Sequence, residues 1–473
     1  MSTLPDRTTP KGFPSVPPEA WEPLIKLARL AGRPLERFLK VQAASGIALL
    51  LTAGFALAWA NSRWADTYFA LWHLPVGLGI GRFSFERPLE WYVNDVLMAV
   101  FFFVVGMEIR RELHHGELSE WRRAVLPAAA AVGGMVVPAL IYLAFSRGGP
   151  TSSGWGVPMA TDIAFAVGIL TLLGQRVPAA LRVLLLALAV IDDLGAIIVI
   201  ALFYSSGISA PWLLVGVLGL GAIFVLQKLG VRQRLAYLPP AMLVWAGCHW
   251  AGIHPTIAGV VVGLVTPVRA WLGTEGFIQS VQAELNTLTT AASREPAHQL
   301  ADSLRFVDAA RREALSPAES LIELLHPSVA FVIMPLFALA NAGVQLEGFS
   351  LGGATATVTW GVVAGLVAGK PLGILLVCWG SLELGLARLP RGLSTRHLVV
   401  LGVVAGVGFT MALFIAQLAF VDPALLRAAK LGVLAASGLS AVLALGLGRA
   451  LLSIASRSPA AQSADEAESS TES

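Results

Sequence analysis

Apolar runs of about 20 residues recur from Val41 to Leu452, and nothing else in the sequence restricts the fold as severely. Each run is long enough to cross a hydrocarbon core about 30 Å thick. In lipid every backbone N–H and C=O must find its partner within the chain, so a crossing segment is a helix or a strand of a closed barrel. Barrel strands alternate apolar and polar residues over about ten positions, whereas these runs of Leu, Ala, Val and Gly do not alternate. The expected fold class is therefore an all-α membrane protein. Charged residues make up only 13% of the chain and hydrophobic ones 56%. A soluble domain carries roughly 25% charged residues, so this chain is short of solvated surface.

The runs predict about twelve helices. They fall at 41–60, 91–113, 124–145, 155–175, 181–204, 211–227, 235–251, 254–267, 327–344, 358–382, 398–420 and 428–452. The seventh and eighth are short, with only Gly252-Ile253 between them. Alternate connections divide the basic residues unequally, about 26 Lys and Arg against about six, which by the positive-inside rule puts both termini in the cytoplasm. Around a membrane domain at 41–455 lie a Pro-rich cytoplasmic N-terminal segment at 1–40 and a tail at 456–473 with the composition of a disordered segment. Residues 1–40 have no compact apolar stretch ending in a cleavage site, so no secretory signal is expected there. A polar cytoplasmic insert at 269–325 has room for a short amphipathic helix and shows no catalytic or nucleotide motif. The net charge of +3 is spread over short loops without a continuous basic face, so nucleic acid is not an expected partner. Cys248 and Cys378 sit inside apolar segments without metal-ligand spacing and read as small apolar fillers.

Function is carried by ionisable residues within the apolar runs: Asp95, Asp162, Asp192, Asp193 and Lys370. A charge at mid-membrane costs about 2.5–3.5 kcal/mol on the insertion scale. Four deep ones would cost on the order of 10–14 kcal/mol, as much as the whole stability of an ordinary domain. Interhelical ion pairing accounts for one Asp and Lys370 and leaves acids over. A buried acid without a cation partner tends to bind a proton, the property that proton coupling needs. Asp192 and Asp193 are adjacent, so on a helix they point about 100° apart, one free to face a cavity while the other faces a neighbour. Carboxylate oxygens, a hydroxyl such as that of Thr161 and backbone carbonyls suit a small hard cation. A site that holds either protons or a cation, but not both, is an exchanger. Pro158 precedes Thr161-Asp162 in the fourth helix, and Gly402, Gly406 and Gly408 interrupt the eleventh. Such breaks are tolerated where the opened backbone is buried or lines a cavity, and close packing through small residues is the alternative.

Seven stretches together resemble one family. They are NDVLMAVFFFVVGMEIRREL at 94–113, ATDIAFAVGIL at 160–170, AVIDDLGAIIVIALFYSSG at 189–207, GIHPTIAGVVVG at 252–263, HPSVAFVIMPLFALANAGV at 326–344, GKPLGI at 369–374 and GVGFTMALFIAQLAF at 406–420. This pattern resembles the NhaA-type bacterial sodium/proton antiporters over about residues 35–455. The resemblance implies inverted repeats, with the fourth and eleventh helices broken and crossing near mid-membrane. It implies that Asp193 is the main sodium carboxylate and that Asp192 is a proton carrier or the partner of Lys370. Asp162, with Thr161, would offset the positive helix ends that face each other. Lys370 would offset the negative ends or hold Asp192 in a salt bridge. Asp95, Glu108, Arg111 and Glu112 match a cluster at the cytoplasmic end of the second helix associated with pH activation. His254, before a Pro-containing helix start, is a further pH candidate for which a structural cap is the plainer role. Asp95 has its own plainer role, capping a polar spot near the membrane boundary.

The resemblance also implies an inner-membrane protein that exports sodium or lithium for protons. Loss of two protons per sodium would make exchange electrogenic. No cofactor is expected. A homodimer is possible through 61–90, where relatives form an outward hairpin. Two departures stand out: Pro255 where many relatives have Ala, and an insert longer than in compact relatives. An intramembrane aspartyl protease would want its two carboxylates on facing helices and gives Lys370 no role. A passive cation channel would want symmetric acidic rings rather than a lysine-countered site at broken helices.

Overall fold

The computed structural model describes residues 42–452 apart from 81–82, 147, 206, 208, 271, 291–295, 348–351 and 391. The expected N-terminal segment 1–40 and tail 456–473 lie outside the described residues. Helix α1 (Gln42–Ala60) turns through 114° into α2 (Ala65–Trp72). An antiparallel hairpin follows, β1 (Pro75–Ile80) on β2 (Phe83–Pro88), with Pro75 opposite Pro88 and Gly77 opposite Glu86. The rest of the described chain is helical: α3 (Leu89–His114), α4 (Trp121–Ser146), the broken helix α5 (Gly149–Met159 and Ile163–Leu172), α6 (Ala179–Phe203) and α7 (Ala210–Lys228). Then come α8 (Leu238–Ala251), α9 (Pro255–Val265), α10 (Gly273–Thr290), α11 (Pro296–Ala314), α12 (Pro317–Asn341), α13 (Gly353–Glu383), the broken helix α14 (Thr395–Ala405 and Phe409–Ala419) and α15 (Pro423–Leu451). Among the described residues seven helices are long and apolar enough to cross a membrane, or up to ten if each bent pair is one span. Leu51, Leu202, Leu218 and Val442 are exposed on them, outward faces that lipid covers and water would not tolerate.

Several boundaries move for identifiable reasons. The ninth expected helix begins ten positions earlier, at Pro317, and so takes the end of the expected insert into the membrane domain. Ser316 and Glu319 form a reciprocal capping box there, with Pro317 at the first helical position where its missing N–H costs nothing. Pro327 stays inside this helix, and a π-helical turn at Val329–Ile333 follows it directly. What remains of the insert holds two helices, α10 and α11, packed on each other, rather than one. Helices α8 and α9 are separate and short, about 21 and 16 Å along their axes. Gly252 turns the chain between them at φ 84°, a left-handed conformation that glycine adopts without cost. The helical backbone of α3 runs past the expected end at 113, as far as His115, with Gly116 as its C-cap. Cys378 is buried and Cys248 half-buried, both as free thiols.

Packing sorts the membrane helices into two bundles. In one, α4, α5, α6, α13, α14 and α15 pack on one another; in the other, α3 lies along α9, α7 along α8, and α12 against α1 and α3. The bundles meet where α1 crosses the second half of α5, where α3 meets α6 and where α12 meets the second half of α14. In the first bundle the backbones of α4 and α13 meet closely at Gly133 and Gly373. A Cβ on Gly373 would lie 2.0 Å from the Gly133 carbonyl oxygen, so only a hydrogen fits. This contact sets α13, and the Lys370 side chain one turn earlier on it, against the two broken helices.

Candidate functional site

The chain breaks in α5 and α14 come together. The halves of α5 bend by 48° and those of α14 by 47°, and the Asp162 N–H in the first break donates to the Val407 carbonyl in the second at 2.8 Å. Each break opens backbone groups that would be orphaned in lipid, and side chains at the crossing meet them. Asp162 is the N-cap of the second half of α5: its Oδ1 accepts from the Phe165 N–H at 3.0 Å. Its Oδ2 accepts from the Thr410 N–H at 3.2 Å and from the Thr410 hydroxyl. One carboxylate thus sits at the positive ends of two half-helices, where a negative charge is favourable.

The opposite polarity is met by Lys370. It follows a π-helical turn, Gly365–Gly369, of the kind that re-aims a side chain in a helix, and it is 0% exposed. Its ammonium donates to the carbonyl of Met159, the last residue of the first half of α5. The same nitrogen lies 2.9 Å from Asp192 Oδ2, also 0% exposed. Lys370 therefore lies against one negative helix end and against Asp192 at once. The Thr161 hydroxyl also reaches Asp192 Oδ2, at 2.7 Å, and lies 3.1 Å from the Ala405 carbonyl in the other break.

Asp193 differs from its neighbour. The turn of α6 carries it away from Lys370, as the 100° step requires. It is 1% exposed, and its Oδ1 has no hydrogen-bond partner; Asp192 Oδ1 is also buried without one. Two buried carboxylate oxygens that no protein donor reaches are costly unless a proton or a cation binds them. Among the described residues no three His, Cys, Asp or Glu side chains converge as a resident metal centre. The donors here are carboxylates, a hydroxyl and carbonyls, which suit a hard cation or protons.

The four residues expected together on α3 are not together. Glu108 stands one turn from Arg111 and Glu112 at the His114 end, interacts with both, and is within electrostatic reach of Asp193. Asp95 lies thirteen positions earlier on the same span, about 20 Å along the axis towards the Leu89 end. Its grouping with the Glu108 cluster is therefore corrected: a straight helix cannot bring the two ends of a span together. Asp95 sits in a π-helical turn, Tyr92–Leu97, with its Oδ1 3.7 Å from His254 Nε2. His254 caps α9, its Nδ1 accepting from the Thr256 N–H at 3.4 Å and lying 2.7 Å from the Thr256 hydroxyl. Pro255 takes the first position of that helix, where a proline is at home.

Thr410 escaped sequence reasoning. Its signal was a hydroxyl two residues past a Gly-interrupted break, mirroring Thr161-Asp162 in the other broken helix. The helix-end carbonyls of Met159, Ala405 and Val407 carry no sequence signal.

The family profile described as Na+/H+ antiporter 1 matches residues 36–447. The Na(+)/H(+) antiporter NhaA 2 of Myxococcus xanthus is 64% identical over 98% of this chain and 99% of its own length. That of Sorangium cellulosum is 55% identical over 97% and 98%, and that of Pseudomonas putida strain F1 50% identical over 89% and 94%. With the match running through both broken helices and the Asp192-Asp193 pair, the chain belongs to the Na+/H+ antiporter 1 family.

Proposed function

We propose that this chain is a secondary sodium/proton antiporter of the bacterial inner membrane, in which Asp193 and Asp192 bind sodium and protons in turn. The observation that carries this reading is the pair of buried, unpartnered oxygens, Asp193 Oδ1 and Asp192 Oδ1, beside a lysine and two broken helices. Sodium or lithium from the cytoplasm binds there and displaces protons; movement of one bundle against the other opens the site outward, and external protons release the ion. Loss of a proton from each carboxylate per sodium makes the cycle electrogenic. Thr161 assists at Asp192, while Asp162 and Lys370 hold the broken helices in register. The basic-residue asymmetry supports cytoplasmic termini, which puts the Glu108–Arg111–Glu112 cluster at the cytoplasmic end of α3 as a pH-responsive entrance. About twelve crossings fit this scheme, counting α8, α9 and each broken helix once. The near-equal bends of α5 and α14 support their descent from inverted repeats. The β1–β2 hairpin, with its exposed strand edges, is the natural seam for a homodimer.

The test uses everted membrane vesicles. Sodium should dissipate a preformed proton gradient, and Asp193→Asn should abolish this while the protein still inserts. Exchange that survives Asp193→Asn refutes the site, and sodium flux without proton counter-movement favours a channel. A protease reading is disfavoured because both carboxylates stand side by side on α6.

A further inference from the structure

Away from the crossing, five polar side chains from four helices meet at the Leu89 end of the membrane domain. Glu90 and Asn94 lie on the first turns of α3, Asn341 closes α12, Gln417 lies near the end of α14, and Lys430 is two turns into α15. Asn341 is 0% exposed and the other four are half-buried. Within their own bundle, Asn341 donates to Asn94 Oδ1 at 2.8 Å and Asn94 to Glu90 Oε1 at 3.5 Å. The remaining bonds cross to the other bundle. Gln417 donates to Glu90 Oε1 at 3.2 Å and also to Asn341 Oδ1, and Lys430 donates to Asn341 Oδ1 at 3.4 Å.

We propose that this cluster is an outer latch: Glu90, Asn341, Gln417 and Lys430 tie the two bundles together on the external side of the ion site and must part before the site opens outward. This rests on the reading that one bundle moves against the other. The position supports it. Gln417 stands seven residues beyond Thr410 on the same half-helix, about 10 Å from the Asp162 contact. Between them Phe414 projects against Phe102 and Phe337 of the other bundle, with ring centroids 5.4 and 6.1 Å apart. This aromatic layer thus lies between the Asp162 contact and the latch.

The chemistry supports reversibility. The cluster contains one carboxylate and one ammonium and is otherwise built of carboxamides, so its groups exchange their mutual bonds for water on opening. Each such bond is worth net roughly fivefold in an equilibrium. A second sodium site is the poorer reading, because the Lys430 ammonium already supplies the positive charge.

The decisive experiment bridges the latch. In a Cys248→Ser/Cys378→Ala background, Asn341→Cys/Gln417→Cys is joined with a short, cleavable thiol crosslinker in the full-length protein. Sodium/proton exchange should stop, and return on reduction in the same preparation. Exchange that persists in crosslinked protein, or a pair that cannot be bridged, overturns the proposal. The second arm is Gln417→Leu, with apparent sodium affinity measured from each face. Removing the latch should weaken cytoplasmic-side affinity and strengthen outer-side affinity, each by up to roughly fivefold, because the populations shift in opposite directions. Equal changes on both faces, or none, also overturn it. Neither failure resembles exchange surviving Asp193→Asn, which would instead remove the ion site.

Discussion

Replacing Lys370 with Met takes away the one ammonium that touches both Asp192 and the Met159 carbonyl. Asp192 Oδ2 keeps the Thr161 hydroxyl but loses a partner at 2.9 Å, and both charged side chains are 0% exposed. Breaking a buried pair by removing one member costs about 3–5 kcal/mol. The Met159 carbonyl, left without its donor, adds about 1–3 kcal/mol. Asp192→Asn alone strands the ammonium instead, again at about 3–5 kcal/mol. The double variant Lys370→Met/Asp192→Asn leaves no unpaired charge and retains only the carbonyl cost of about 1–3 kcal/mol. The double variant should therefore be more stable than Lys370→Met, and no less stable than Asp192→Asn. Thermal unfolding of the four purified proteins in one detergent, at one scan rate, reads this order. A double variant whose loss equals or exceeds the sum of the single losses would refute the coupling, and with it the account of how four buried charges are tolerated. Exchange measured on the same proteins separates holding the site together from carrying protons, since a purely supporting lysine allows partial exchange in the double variant.

Three further outcomes follow. Thr410→Val removes one of three donors to Asp162, a charge-assisted bond worth about 1.5–3 kcal/mol; sodium/proton exchange should slow tenfold or more while insertion is unchanged, and an unaltered rate would exclude a role for the Thr410 hydroxyl. Gly373→Ala pushes α13 off the Gly133 carbonyl and should destabilise by about 1–3 kcal/mol or more, displacing Lys370. Gly380→Ala on the same helix, where an added Cβ meets nothing within 4 Å, should be tolerated; equal melting points for the two would refute the close-contact argument. If sodium displaces one proton, its apparent dissociation constant should rise up to about tenfold per unit fall in pH, and with two protons up to about a hundredfold. A pH-independent constant, measured by calorimetry, would refute competition at the site.

The length and apolarity of the runs were enough to establish a helical membrane protein, because lipid leaves the backbone no other way to satisfy its hydrogen bonds. They were enough also to single out Asp162, Asp192, Asp193 and Lys370, since a charge in an apolar run is costly wherever the run folds. Gly406, Gly408 and Pro158 marked the two breaks to within a few residues. Sequence spacing did not show that the breaks touch, because the Asp162 to Val407 bond joins residues 245 positions apart. Nor did it divide the acidic pair: adjacency fixes an angle of about 100°, but only the placement of α13 against α4 decides that Asp192 meets Lys370 and Asp193 does not. Asp95 went astray for the complementary reason, since motif membership groups residues along a helix that the rise of about 1.5 Å per residue keeps apart. The latch residues were invisible for a plainer one. Glu90, Gln417 and Lys430 lie near helix ends, where polar side chains are ordinary, and only the packing of the two bundles brings them into one cluster. Sequence alone thus determined which residues are too costly to be accidental; the tertiary structure decided which of them meet, because that depends on helix packing between segments distant in the chain.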